Sequence, residues 1–420
     1  MKRQTLFILC LFLLAAFAVG SFFRYPLVTD DPYITYRYAR NLVNGAGFVY
    51  NAGERVLSTT TPLYAIVLAL FGFLRADIPT LGYWLSVTSL GVAAFLLYAL
   101  GASVQRKAGG ILAGALLLVS PALVMTFGLE TNFYLALGLG ALTAYLTQRV
   151  TLAFALCALL TLTRNDGILL TAILTLDYLW QNRAALRQAK IENRNLKIIT
   201  PFLVYCVILA PWLLFAWLYF GSPFPFTLAA KIAQAQSGLW DTFAVGFFKW
   251  ARDNLVWLAP LSLFAIAGVV WAARAKSRVL LLLAWALLHL VAYSILGVAF
   301  YAWYVAPFLP ALCFFAGIGV AQMANVRLIS QNNFLKYGAL TLCGALLLGV
   351  TWRATYDAGM TQPSPKVTRR WTRSKWASLV ILTNGARWIL WASLTRCASR
   401  ICARKSLRTA CGARMPSTSL

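Results

Sequence analysis

The chain has 420 residues, 61% of them hydrophobic and 11% charged, with a mean hydropathy of +0.73. That excludes a soluble globular protein, because apolar runs of membrane-spanning length recur and charges fall almost only between them. The formal net charge of +26 is spread over short inter-helix segments and gathered at the C-terminal end, a distribution that argues against a nucleic-acid partner.

The first apolar run, Leu6 to Phe23 behind Lys2 and Arg3, has no clear small-x-small cleavage site and reads as a retained first helix. Directly after it comes the densest polar island of the chain, TDDPYITYRYARNLVNGAGFVYNAGER, which begins with Asp30 and Asp31. Two adjacent carboxylates at the lip of a membrane helix are costly to hold there and call for a functional reason. Asp31 precedes Pro32 and fits a helix N-cap followed by proline at the first position. Capping does not account for Asp30. A pair of acids can instead divide catalytic work: one accepts a proton from a hydroxyl nucleophile, the other orients it or binds a divalent cation such as Mg or Mn. A short helix is expected over Pro32–Leu42, with Ile34, Tyr38 and Leu42 on one face and Arg37, Arg40 and Asn41 mostly elsewhere, ended by Gly45 and Gly47. The run Pro62–Leu74 is too short to cross. It follows Ser58-Thr59-Thr60-Thr61, which can supply a cap, and reads as an interfacial or re-entrant helix. Residues 24–77 thus form a large first outer loop.

Eleven spans are predicted, at 5–23, 78–102, 109–127, 131–147, 150–163, 167–181, 198–219, 255–273, 279–298, 305–324 and 338–356, in an all-α integral membrane protein. This arrangement puts 15 Lys and Arg inside against 10 outside before residue 357, and over the whole chain nine of the eleven acids outside. That agrees with the positive-inside rule for a cytoplasmic N-terminus in the cell inner membrane. The short pair 150–163 and 167–181 calls for tilt, local bilayer thinning or a broken hairpin lining a cavity. No internal repeat is evident.

Further polar spots fall on the same predicted side. Glu130 lies in FGLETNFY, Arg164 and Asp166 in LTRNDG, and Lys231 in FGSPFPFTLAAKIA. Arg and Lys on an outer membrane face suit an anionic group such as a phosphate, Arg through its fork and Lys as a point charge. Plain alternatives stand beside this reading: a local ion pair closing a turn for Arg164 and Asp166, a solvated interfacial acid for Glu130, headgroup contact for Lys231. Polar groups at several helix mouths are most simply explained by a shared cavity. Tyr36 and Arg37, on the helix after the acidic pair, complete the candidate substrate-facing set. Interface anchoring explains most of the outer aromatics, among them Tyr33, Tyr301 and Trp303. The single histidine, His289, excludes a histidine-based metal site by count and reads as a packed residue inside an apolar run. The eight cysteines show no metal-ligand spacing, and five sit in or beside apolar runs as small core hydrophobes.

The segments DDPYITYRYARNLVNGAGFVYNAGERV (30–56), STTTPLY (58–64), GLET (128–131), LTRNDG (162–167) and PFPFTLAAK (223–231) resemble, in residues and order, the polytopic membrane glycosyltransferases of the GT-C superfamily. The resemblance is to the bacterial arabinofuranosyltransferase and mannosyltransferase-like branch, with a DD motif after the first transmembrane helix, and it spans roughly residues 5–356. It implies inverting transfer of a glycosyl residue from a polyprenyl-phosphate sugar to a cell-envelope glycan, lipid or protein acceptor on the outer face. The base toward the acceptor hydroxyl then falls on Asp30 or Asp31. Two departures mark this chain: the turn reads RND where relatives often carry proline and an acid, and Asn132 follows GLET where proline is common.

From residue 358 onward there is no Asp or Glu, yet 12 Lys or Arg. The segment 357–420 is atypical beside residues 1–356, and three readings stay open. It is a basic tail on anionic lipid or polymer, a small disulfide-containing outer domain, or coding sequence read in the wrong frame in place of a soluble outer domain. A functional alternative of another class is a transporter or flippase for a lipid-linked anion, which predicts charges deep within several spans.

Overall fold

A computed structural model describes residues 3–23, 31–184, 193–225, 227–323 and 333–360. The expectations for Asp30 and for the basic segment from residue 361 lie outside the described residues. The described chain is a multi-pass, all-α membrane fold. Its helices are α1 Arg3–Phe22, α2 Pro32–Val43, α3 Pro62–Gly72, α4 Ile78–Ser103, α5 Lys107–Leu118, α6 Pro121–Val124, α7 Thr131–Leu146, α8 Val150–Thr163 and α9 Ile168–Gln181. They continue with α10 Asn193–Phe220, α11 Thr227–Gln236, α12 Phe243–Asp253, α13 Leu255–Arg274, α14 Leu280–Leu296, α15 Phe308–Met323 and α16 Asn333–Met360.

Five of them are long and apolar enough to cross a bilayer: α1, α4, α13, and the segments 198–220 of α10 and 338–358 of α16. Helices occupy the other predicted spans too, but they are shorter. The third, expected to run unbroken over 109–127, is interrupted. Ser120 is extended at ψ 121° and Pro121 opens a separate short turn, because proline lacks the N–H a continuing helix needs and pushes its predecessor out of the helical region.

The core is built by close backbone approach. Cβ atoms added at Gly109, Gly268, Gly317 or Gly319 would run into backbone of a facing helix: Gly109 meets Gly317, Gly268 meets Phe315, and Gly319 meets Phe264. This seam joins α5, α13 and α15, as expected where small residues let membrane helices touch. On the other flank α4 packs against α1, α5 and α7, while α8 packs against α7 and α10.

The first loop folds on itself and on this scaffold. Asp77 caps α4 by accepting from the Thr80 N–H at 3.0 Å. By contrast, neither Asp31 nor Thr61, the expected caps of α2 and α3, makes a side-chain capping bond. Thr61 Oγ1 turns instead to the hydroxyls of Thr35 (3.0 Å) and Thr59 (3.1 Å). The face of α2 also departs from expectation: Tyr38 is fully buried, but Ile34 is exposed, and Thr35, Tyr36 and Ala39 face inward. Tyr38 donates to the Val56 carbonyl at 2.8 Å and Asn41 donates to the carbonyls of Val49 and Tyr50, both at 2.8 Å. Those bonds fold the loop back over α2.

Candidate functional site

Helix α8 ends at Arg164, whose backbone is extended (φ −154°, ψ 133°), and a 3-10 turn over Asn165–Gly167 leads into α9. Gly167 sits against the backbone of Leu160, where a Cβ would lie 2.7 Å from its carbonyl carbon. The tight turn directs Arg164 into the bundle. Its Nη1 donates to Glu130 Oε1 at 3.1 Å. Its Nε and Nη2 grip the Asp166 carboxylate at 3.2 and 2.9 Å, and Nη2 also reaches the Tyr293 hydroxyl at 3.1 Å. Tyr293 in turn donates to Asp166 Oδ2 at 2.6 Å. The side chains of Arg164, Glu130 and Asp166 are only 12%, 9% and 9% exposed.

One guanidinium faces two carboxyl groups in this cluster. Burial on its own would raise the Asp166 carboxyl, but the adjoining Arg164 guanidinium, His289 and the Tyr293 hydroxyl bond hold it down at about 2. Asp166 is therefore a permanent anion and a feeble base. Aromatic rings enclose the cluster. The Arg164 guanidinium lies 5.6 Å from the Tyr134 ring and 5.5 Å from that of Tyr304. His289 stacks on Tyr293 at 4.3 Å, with Nε2 2.9 Å from the Tyr304 carbonyl.

Lys231, on α11, sits apart but connected. Its ammonium lies 3.8 Å over the Tyr301 ring, Tyr301 lies 5.7 Å from Tyr304, and Tyr304 underlies Arg164. Trp240 and Trp303 stack against Tyr301 at 5.5 and 4.5 Å. The Ala299 N–H donates to the Lys231 carbonyl at 3.1 Å, tying α11 to the loop that carries these rings.

In the first loop, Asp31 is half-buried at the start of α2. Arg37 braces its own loop: Nε donates to the Tyr50 carbonyl at 2.7 Å and the guanidinium lies 5.0 Å over the Tyr50 ring. Tyr36 is buried and its hydroxyl donates to the Gly128 carbonyl at 2.9 Å, two residues before Glu130. Of the sequence candidates, Glu130, Arg164 and Asp166 thus form one contact cluster, Lys231 joins it through two tyrosines, and Tyr36 joins it through Gly128. Arg37 turns to its own loop. Among the described residues no group of three His, Cys, Asp or Glu is placed to hold a metal ion.

Sequence reasoning passed over Tyr293 and Tyr134, placed Tyr304 only among the outer aromatics, and missed the place of His289 beside the ion cluster. The available signal was local: Tyr293 and His289 interrupt the apolar run of α14 four residues apart, on one face of that helix.

No protein-family model matches the chain, and no curated protein matches it significantly. Solved structures of other proteins do share its fold. One is the oligosaccharyltransferase of Archaeoglobus fulgidus, crystallised with zinc and sulfate, at TM-score 0.58 and 14% identity over 85% of this chain and 53% of that one. Another is ArnT from Cupriavidus metallidurans bound to undecaprenyl phosphate, at TM-score 0.56 and 16% identity over 83% of this chain and 76% of that one. The chain spans about half the length of the archaeal enzyme it matches. At such identities the likeness establishes the fold.

Proposed function

We propose that the protein transfers a glycosyl residue from a polyprenyl-phosphate sugar to a cell-envelope glycan, lipid or protein acceptor. In this reading it is a multi-pass protein of the inner membrane with eleven crossings and a cytoplasmic N-terminus, acting on the outer face and belonging to the arabinofuranosyltransferase and mannosyltransferase-like branch of GT-C. The observation that carries the reading is the buried Glu130–Arg164–Asp166 cluster, joined on one side to the loop bearing Asp31 and on the other to Lys231. The fold shared with an enzyme crystallised on undecaprenyl phosphate supports the choice of donor.

In the reaction, an acceptor hydroxyl oxygen attacks the anomeric carbon and its proton passes to Asp31 or Asp30. The bond from that carbon to the phosphate oxygen breaks, with inversion, and polyprenyl phosphate departs. Lys231 has no carboxylate partner among the described residues and supplies the main positive charge toward the leaving phosphate. Arg164, held by Glu130 and Asp166, adds positive charge behind it, its plane fixed by those two carboxyl groups. Tyr36 and Arg37 hold the first loop. If a divalent cation takes part, Asp30 and Asp31 would hold it, and it would supply positive charge toward the departing phosphate.

The test is transfer from radiolabelled polyprenyl-phosphate sugars in membranes holding the full chain, with Asp30→Asn and Asp31→Asn made separately. Normal transfer by both variants removes the base role. Movement of the lipid across the bilayer with no transfer replaces the enzyme by a transporter.

A further inference from the structure

Two tyrosines from different helices converge on one carbonyl. Tyr36 of α2 donates to Gly128 O at 2.9 Å, and Tyr64 of α3 shares its single hydroxyl proton between Gly82 O at 3.0 Å and the same Gly128 oxygen at 3.2 Å. Gly128 presents that oxygen from a left-handed backbone, φ +99°, and a Cβ there would lie 2.8 Å from the Tyr36 hydroxyl. The position therefore suits glycine twice over, by conformation and by space. Both tyrosines are buried, at 5% and 1% exposure. Burial, with Tyr33 and Glu130 adding to it, pushes the Tyr36 phenol above its ordinary range, so it remains a donor. Two residues after Gly128, Glu130 enters the ion cluster through Arg164.

We infer that Gly128, with Tyr36 and Tyr64, is a latch that sets the first outer loop in register with the buried ion cluster, which makes these three positioning residues for the transfer step. The covalent path from the carbonyl to Glu130 is two residues, so any displacement of α2 or α3 is passed to the carboxylate that orients Arg164. Packing alone leaves this register loose. The small apolar cluster under the loop, formed by Tyr36, Ala39, Tyr64, Leu68, Ala69 and Ile78, is non-directional, whereas two hydrogen bonds to one lone-pair oxygen fix distance and angle. Nothing in the composition of the GLET segment announces this; it follows from which oxygen the two phenols share. The kinetic half of the inference rests on the transferase reading, and the geometric half does not.

The experiment uses the full chain in lipid nanodiscs, with spin labels carried by unnatural amino acids at two exposed positions, Arg40 on α2 and Asn165 beside Arg164. The distance distribution between them is expected to be narrow in the parent, to stay narrow in Tyr36→Phe, which keeps the Tyr64 bond, and to broaden in the Tyr36→Phe/Tyr64→Phe double variant and in Gly128→Ala. Transfer assays on the same samples should show kcat lowered about tenfold in the double variant, and more in Gly128→Ala, with donor KM unchanged, since a small misplacement weakens the reacting geometry ahead of binding. A distribution as narrow in the double variant as in the parent overturns the latch even if Gly128→Ala misfolds. So does a loss that appears wholly in donor KM. If the distribution broadens while the parent itself shows no transfer, the latch stands and the transferase reading falls; if it broadens while transfer in the double variant equals the parent's, the positioning role is overturned.

Discussion

Helices α9 and α14 run past each other and are clasped by an arginine at both ends, and the two clasps differ. At one, Arg164 meets Glu130, Asp166 and Tyr293, with its side chain 12% exposed. At the other, Arg278 meets Asp177 at 2.6 Å, with side chains 34% and 23% exposed, lies 4.9 Å from the Tyr145 ring, and shares Asp177 with the Tyr145 hydroxyl. The Arg278 clasp balances one charge with one charge. The Arg164 clasp sets one guanidinium against two carboxyl groups whose side chains are each 9% exposed, more acid than a structural staple needs, because desolvating a second anion weakens the fold. The contrast teaches that chemistry is to be sought at the Arg164 end, and that the Arg278 end is what a plain clamp looks like in the same molecule.

The largest expected effect tests whether the reactive carboxylates belong to the Arg164 end. Asp31→Asn or Asp30→Asn should lower transfer by about 10²–10⁴-fold, the usual reach of general-base catalysis, with the folded yield in detergent unchanged. Asp177→Asn should leave transfer nearly intact; equal loss in both would dissolve the contrast.

Next comes stability. Arg164→Met strands two buried carboxylates and should cost about 3–5 kcal/mol, seen as a marked fall in thermal midpoint. Arg278→Met, at a half-exposed pair, should cost no more than ~1 kcal/mol. Acid titration probes the Arg164 clasp directly. Because the folded Asp166 carboxyl lies at about 2, below its ordinary 3.8, its contribution is complete above about pH 4 and is lost as the pH falls toward 2. Tryptophan fluorescence of the detergent-solubilised protein should record that loss, and Asp166→Asn should flatten it. The smallest effect concerns Lys231. Lys231→Met should lower kcat/KM about tenfold, with kcat itself reduced, the worth of one charge-assisted contact to the leaving phosphate, with thermal stability unaltered.

Much of this was legible before any coordinates. Apolar runs between charged mouths located the helices, since a lipid-facing segment has few alternatives to helix, and Glu130, Arg164 and Asp166 were marked by being charged where charge is costly. What escaped has physical reasons. Tyr293 and Tyr304 are uncharged and lie more than a hundred residues from Arg164, so only the packing of α14 beside α9 brings them in. The interruption at Ser120-Pro121 was visible as a proline but was outweighed by the hydrophobicity of the whole run. The exposed Ile34 betrays another error: in a loop against a membrane scaffold, apolarity is no guide to which way a side chain faces.

The glycine seam between α5, α13 and α15 carries a consequence for motion. Where backbone rests on backbone there are no rotamers to exchange, so neighbours cannot slide by repacking, and these three helices behave as a single rigid spar. Any relative movement within the fold must then come from the elements hung around that spar. The first loop, with its own small apolar clusters and its hydrogen-bonded tether, is hung in just that manner. Backbone amides along the seam should be the slowest in the molecule to exchange with deuterium, and those of α2 and α3 should exchange well ahead of them.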